Sequence, residues 1–84
     1  MAVLRLTGLL AQETGARRLE VEAATLEDAL RALPTPQLVL DEHGALRPLV
    51  HVYVEGAREK DLGAPLQRDA EVILIAAIAG GRDP

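Results

Sequence analysis

Residues 17–33 read RRLEVEAATLEDALRAL, and this run carries both secondary-structure periods from which a fold can be read. Over Arg17–Ala23 the chain alternates: Leu19, Val21 and Ala23 fall on one face, and Arg18, Glu20 and Glu22 on the other. That is the pattern of a half-buried strand. From Thr25 the period changes. Leu26, Ala29, Leu30 and Leu33 are spaced i, i+3, i+4, i+7 and form one apolar helical stripe. Thr25 followed three residues later by Asp28 is a helix-start signal. The hydroxyl can accept from an orphan amide of the first turn, and the carboxylate favours the positive end of the helix dipole. Pro34 stops the helix. The spacing therefore predicts a strand over 17–23 and a helix over 25–33.

The neighbouring segments extend this reading. Val3–Thr7 sets Leu4 and Leu6 against Val3, Arg5 and Thr7, a first strand. Gly8 and Gly15 bracket a loop, so the first two strands are expected to form a long-looped hairpin. Pro36 is expected to keep the following residues out of helix, and a turn is expected at His43-Gly44. Leu49–Glu55 places Val50, Val52 and Val54 on one face and His51, Tyr53 and Glu55 on the other, and Gly56 ends it. Residues 57–69 read as irregular and polar, anchored by Leu62 and Leu66. Glu71–Ala77, EVILIAA, is a near-continuous apolar strand of a sheet interior. The order predicts an α+β domain, a mixed sheet of four to five strands with one main helix across one face.

The composition excludes several function classes. A chain of 84 residues forms one small domain, and at this size folding buries about 60–65% of the unfolded surface. Tyr53 is the only aromatic residue and the net charge is −4. Both argue against a nucleic-acid partner, which needs stacking platforms or a basic surface. Cysteine is absent, which removes disulfides, thiolate zinc sites and a cysteine nucleophile; serine is absent too. Neither His43 nor His51 has a partner at a metal-ligand spacing. The opening residues do not read as a signal peptide. The apolar run Val72–Gly81 falls short of the about 20 residues that span a bilayer. No membrane partner and a cytoplasmic location are expected. The basic residues are eight Arg and a single Lys, Lys60.

The last apolar strand runs directly into Ala79-Gly80-Gly81. Two glycines at such a place fit a plain tail. They also fit a thread, since without Cβ atoms they can enter a narrow channel in a partner and adopt almost any backbone geometry.

Four features together resemble the ubiquitin-like sulfur carriers of prokaryotes: the element order, the start Thr25-Leu26-Glu27-Asp28-Ala29-Leu30, the strand Val52-Tyr53-Val54-Glu55-Gly56 and the ending 71–81. That family includes the small subunit of molybdopterin synthase, the thiamine-thiazole sulfur carrier and a carrier used in cysteine synthesis. The stretch 40–47 with His51–Val54 is most similar to the cysteine-synthesis branch. The resemblance implies a β-grasp domain over 1–79 and a flexible tail over 80–84. It implies that the chain is a protein cosubstrate and not an enzyme, and that it binds no cofactor itself.

Its implied partners are a processing protease, an E1-like adenylating and sulfur-transferring enzyme that uses ATP and magnesium, and a sulfur-accepting synthase. Gly81 would carry first an adenylate and then a thiocarboxylate, with Gly80 beside it. Ile78 and Ala79, with His51 and Tyr53, would contact the partner, although His51 and Tyr53 fit an ordinary solvated strand face as well. The chain departs from the family where Glu55 stands in place of a frequent Asn, and where Arg82-Asp83-Pro84 follows Gly81. The peptide bond to Arg82 blocks the Gly81 carboxyl, so processing between Gly81 and Arg82 is expected. A molybdopterin synthase subunit, a protein modifier joined to target lysines and a non-catalytic interaction module are the alternatives.

Overall fold

In the computed structural model, residues 1–76 are described. Five strands form one mixed sheet in the order β2-β1-β5-β3-β4. β1 (Ala2–Leu6) pairs antiparallel with β2 (Arg18–Val21) and parallel with β5 (Glu71–Ala76). On the other side of β5 lies β3 (Val50–Val54), antiparallel to it, followed by the two-residue edge strand β4 (Ala57–Arg58). The expected hairpin of the first two strands is present as the β1–β2 pair, and the expected interior strand is β5, at the centre of the sheet.

Helix α2 (Leu26–Arg31) packs on one face of the sheet. Its predicted stripe is the centre of the core: Leu26, Ala29 and Leu30 are wholly buried and Leu33 nearly so, against Leu4, Val52, Val72 and Leu74. The start signal works as expected, with the Asp28 amide donating to Thr25 Oγ1 at 3.2 Å. Two further amides of the first turn are satisfied from a distance: Leu26 N donates to the Ala64 carbonyl at 2.9 Å and Glu27 N to that of Leu62 at 2.8 Å. The polar segment before β5 is thus fastened to the helix by the groups a helix start leaves free. Leu62 and Leu66 pack against the core, as expected of them.

Two expectations are corrected. The segment between Gly8 and Gly15 is a helix, α1 (Gly8–Thr14), and not a loop. Leu10 inserts into the core, and Gly15 closes the helix in the left-handed region (φ 84°), its amide donating to Ala11 O at 2.9 Å. Pro36, expected to exclude helix, instead opens a 3-10 turn over Pro36–Leu38. A proline fits there because the first position of a helical turn needs no amide donor. That turn delivers Val39 and Leu40 into the core.

Candidate functional site

Among the described residues, the helices cover one face of the sheet, and the alternate strand side chains lie on the other, uncovered by helix. Pairing register aligns its side chains in rows. One row crosses all five strands: Arg18, Arg5, Ile73, Tyr53, Arg58. The next pairs Ile75 with His51, and on the other side Glu20, Val3 and Glu71 lie in line. The centre of this face is apolar, with Val3, Ile73, Tyr53 and Ile75 half-buried or exposed, and its margin is charged. Arg5 Nε approaches Glu71 Oε2 at 2.6 Å, and Arg18 approaches Glu20 at 3.0 Å. An apolar centre within a charged rim is the anatomy of a docking surface.

His51 and Tyr53 both lie on this face, half-buried, register partners of Ile75 and Ile73. The sequence reading missed Ile73, Ile75 and Arg5 as members of the same surface. The signal was the run EVILIAA itself, which reads as buried on both faces although within β5 Val72, Leu74 and Ala76 take the core face and Ile73 and Ile75 the other. Ile75 is 38% exposed at the centre of the sheet, where a strand covered on both sides would hide it.

The open face leads to the end of β5. Ala76, the last described residue, pairs with Val50, next to the exposed Leu49. Thr7 Oγ1 donates to the Leu74 carbonyl at 3.1 Å and ties the residue after β1 to β5. Ile78, Ala79, Gly80, Gly81 and Arg82, expected to carry the chemistry, lie outside the described residues, and so does the boundary between domain and tail.

The other polar features serve the fold. Asp41 Oδ1 accepts from the amides of His43 at 2.8 Å and Ala45 at 3.0 Å, which puts His43 on a turn remote from His51. Those amides, Ala45 first, hold the Asp41 carboxyl below the usual carboxylate range. Among the described residues no group of three or more His, Cys, Asp or Glu could hold a metal ion. Nor is any described helix long and apolar enough to cross a membrane.

No family model matches the chain, and no curated protein matches it. Solved structures do. The chain superposes on small archaeal modifier protein SAMP1 from Haloferax volcanii with a TM-score of 0.79 and 28% identity, covering 95% of this chain and 98% of that one. The chain has the ubiquitin-like β-grasp fold of these small proteins. Urm1 from Sulfolobus solfataricus matches with a TM-score of 0.79 at 18% identity, over 88% of this chain and 97% of that one. A chain of the BexX/CysO complex from Amycolatopsis orientalis matches with a TM-score of 0.76 at 20% identity, over 96% of this chain and 100% of that one. At such identities the last two speak for the fold alone. The neighbour at 28% identity is named a small archaeal modifier protein.

Proposed function

We propose that this protein is a sulfur carrier that acts through its C-terminus. The observation that carries the reading is the central strand β5, three residues before Ala79-Gly80-Gly81 in sequence, which presents the partly exposed Ile73 and Ile75 on the sheet face opposite the core. The face supplies a docking surface. Such a surface offsets the entropy lost when a tail is threaded into a partner, which would otherwise go uncompensated. A protease removes Arg82-Asp83-Pro84. An E1-like enzyme with ATP and magnesium then adenylates the freed Gly81 carboxylate, turning a poor electrophile into one with a good leaving group. A sulfur donor displaces AMP and leaves a thiocarboxylate, an ionised soft nucleophile, which a synthase consumes in making cysteine or another sulfur-containing metabolite. The absence of cysteine is compatible with this chemistry, because the sulfur needs no side chain. Small, Cβ-free Gly80 and Gly81 suit a narrow channel.

A second reading has its own support: the 28% identical neighbour is named a modifier. In that role the activated Gly81 carboxyl would pass to an amine on a target protein. The two readings share every step to the adenylate.

The test is ATP–pyrophosphate exchange with the cognate activating enzyme on three proteins. The full-length chain should be inert, the chain ending at Gly81 should exchange, and Gly81→Ala in that trimmed chain should lower exchange at least tenfold without changing stability. Equal exchange by full-length and trimmed chains, with no trimming detected by mass, would overturn the Gly81 chemistry. Supplying a sulfur donor then separates carrier from modifier by whether the product is a thiocarboxylate or an isopeptide.

A further inference from the structure

We infer that the outer edge of β2 is a self-association site, where two copies of this chain pair antiparallel about Leu19 and join their sheets into one. The inference stands apart from the chemistry of the C-terminus. A sheet edge carries a row of unpaired backbone donors and acceptors, a template for another strand, and native proteins blunt such edges. At one edge of this sheet β4 has only two residues. At the other edge β2 runs for four, Arg18–Val21, and among the described residues its one neighbour is β1.

The pairing with β1 fixes which groups point outward. Leu6 N donates to the Arg17 carbonyl at 2.9 Å. Bonded and non-bonded positions alternate along an antiparallel pair. With Leu4 opposite Leu19 and Ala2 opposite Val21, residues Leu19 and Val21 also turn their amides and carbonyls to β1. Those of Arg18 and Glu20 point away from the sheet. Their side chains are exposed on the open face, whereas Leu19 and Val21 lie on the helix side, packed against the core and only partly covered.

Few registers let this edge meet its own copy. Residues opposite each other share a face, and either both exchange bonds or neither does. Neither Leu19 nor Val21 can therefore stand opposite Arg18 or Glu20. A pair centred on Arg18 sets that arginine against itself, and one centred on Glu20 sets two carboxylates together. A pair centred on Val21 sets Glu20 against Glu22. Directly opposed like charges are destabilising. The pair centred on Leu19 is matched. Arg18 of each copy lies opposite Glu20 of the other, and the two Leu19 side chains meet on the axis, each covering what the other leaves open.

Arg18 and Glu20 already lie 3.0 Å apart within one chain, so this dimer closes a ring of four alternating charges. The Arg18–Glu20 pairs are also the outward-bonding positions, where opposed residues exchange both backbone hydrogen bonds. Parallel pairing of the same edges would turn one sheet over and set Leu19 beside charge. The antiparallel twofold is closed, as in most soluble homo-oligomers. It puts the open faces of both copies on one side of a continuous sheet and leaves β3 and β5 uncovered. A contact four residues long buries less than a stable dimer needs, so the association is weak and reversible.

The test follows the full chain from low micromolar to millimolar concentration by sedimentation equilibrium and amide NMR. The parent should pass from monomer toward dimer across that range. Concentration-dependent shifts should be confined to β2 and its flanks, and the Arg18 and Glu20 amides should exchange more slowly as the dimer fills. Arg18→Glu and Glu20→Arg each oppose like charges and should weaken dimerisation about tenfold, and mixed in equal amounts they should pair with each other to within about threefold of the parent. Glu20→Pro removes an outward amide and spares the ladder to β1, as proline on an edge strand can, and should abolish the dimer. Urea denaturation at low concentration checks that each variant is folded. A parent that stays monomeric at millimolar concentration overturns the inference. So does a dimer whose shifts fall on His51 and Ile75 of the open face, a dimer indifferent to the charge variants, or one that these variants weaken without rescuing each other.

Discussion

The two faces of β3 and β5 are built from the same few residues and do different work. Val50, Val52, Val72 and Leu74 point toward α2 and are closed off from water, whereas His51, Tyr53, Ile73 and Ile75, alternating with them, point away. On the covered face each aliphatic side chain is held by its neighbours in a close-packed interior. On the open face residues of similar hydrophobicity are only partly covered and flanked by Arg5, Arg18 and Arg58. A single sequence period thus assigns stability to one side and leaves the other for the docking proposed above. Substitutions can test whether the two are as separate as the geometry makes them.

The largest effect is expected on the covered side. Leu30 is fully buried where α2 meets the sheet. Leu30→Ala removes that packing and should cost about 2–5 kcal/mol, in the range of other large-to-small core changes. Urea denaturation at unchanged m-value would measure it. A loss under 1 kcal/mol would mean that the helix is not the second layer of the core.

On the open side the expectation is reversed. Ile75→Ala and Tyr53→Ala should each leave stability within about 1 kcal/mol and weaken binding to the activating enzyme by roughly tenfold, the loss expected of a truncated anchor residue. Binding can be followed by calorimetric titration of the trimmed chain and of each variant into the enzyme. If alanine at both positions leaves affinity unchanged, the partner docks elsewhere and the comparison of the faces fails.

Much of this division was legible before the structure. The helix stripe and the alternation of β1, β2 and β3 follow from periodicity, which is strongest where one face is buried and the other wet, and the interior place of β5 follows from its unbroken apolar run. Two kinds of feature were not legible. α1 is only seven residues long, too short for a stripe to repeat, and its flanking glycines read as a loop. The open apolar patch was hidden because EVILIAA looks the same whether a strand is covered on one face or two. Only the single-sided helix layer decides that. The tail chemistry was read from Gly80-Gly81 and the resemblance, and no packing bears on it.

A smaller effect sharpens the covered side at its edge. Gly56 and Glu55 form the two-residue turn between β3 and β4 with φ of 86° and 51°, the left-handed pair that such hairpins require. A Cβ at Gly56 would meet nothing within 4 Å, so Gly56→Ala isolates backbone strain from crowding. It should cost about 1–2 kcal/mol, read in the same denaturation experiment. Glu55 occupies the other left-handed position without glycine's freedom. Its carboxylate accepts from the Glu71 amide, which ties the turn to β5 where an asparagine would suit the backbone better.

The smallest effect concerns charge, and it too separates the faces. On the covered side Asp41 organises the turn after the buried Leu40 through the amides of Ala45 and His43, and these hold its carboxyl below the usual range. A group whose folded-state pKa is depressed adds stability that is present above its unfolded value, near about 4, and that is lost as pH falls through the folded value. On the open side Arg18–Glu20 is an exposed pair, of the kind that contributes little and is screened by salt. Asp41→Asn should therefore lower stability at neutral pH and flatten its decline between about pH 5 and the acid limit. Glu20→Gln should leave the profile nearly parallel to that of the parent. Thermal melts from pH 2.5 to 7 at two salt concentrations measure both. Because amide hydrogen bonds hold the Asp41 carboxylate, its contribution should survive added salt. A contribution that salt erases would show that Asp41 acts through distant charges and not through the turn it closes.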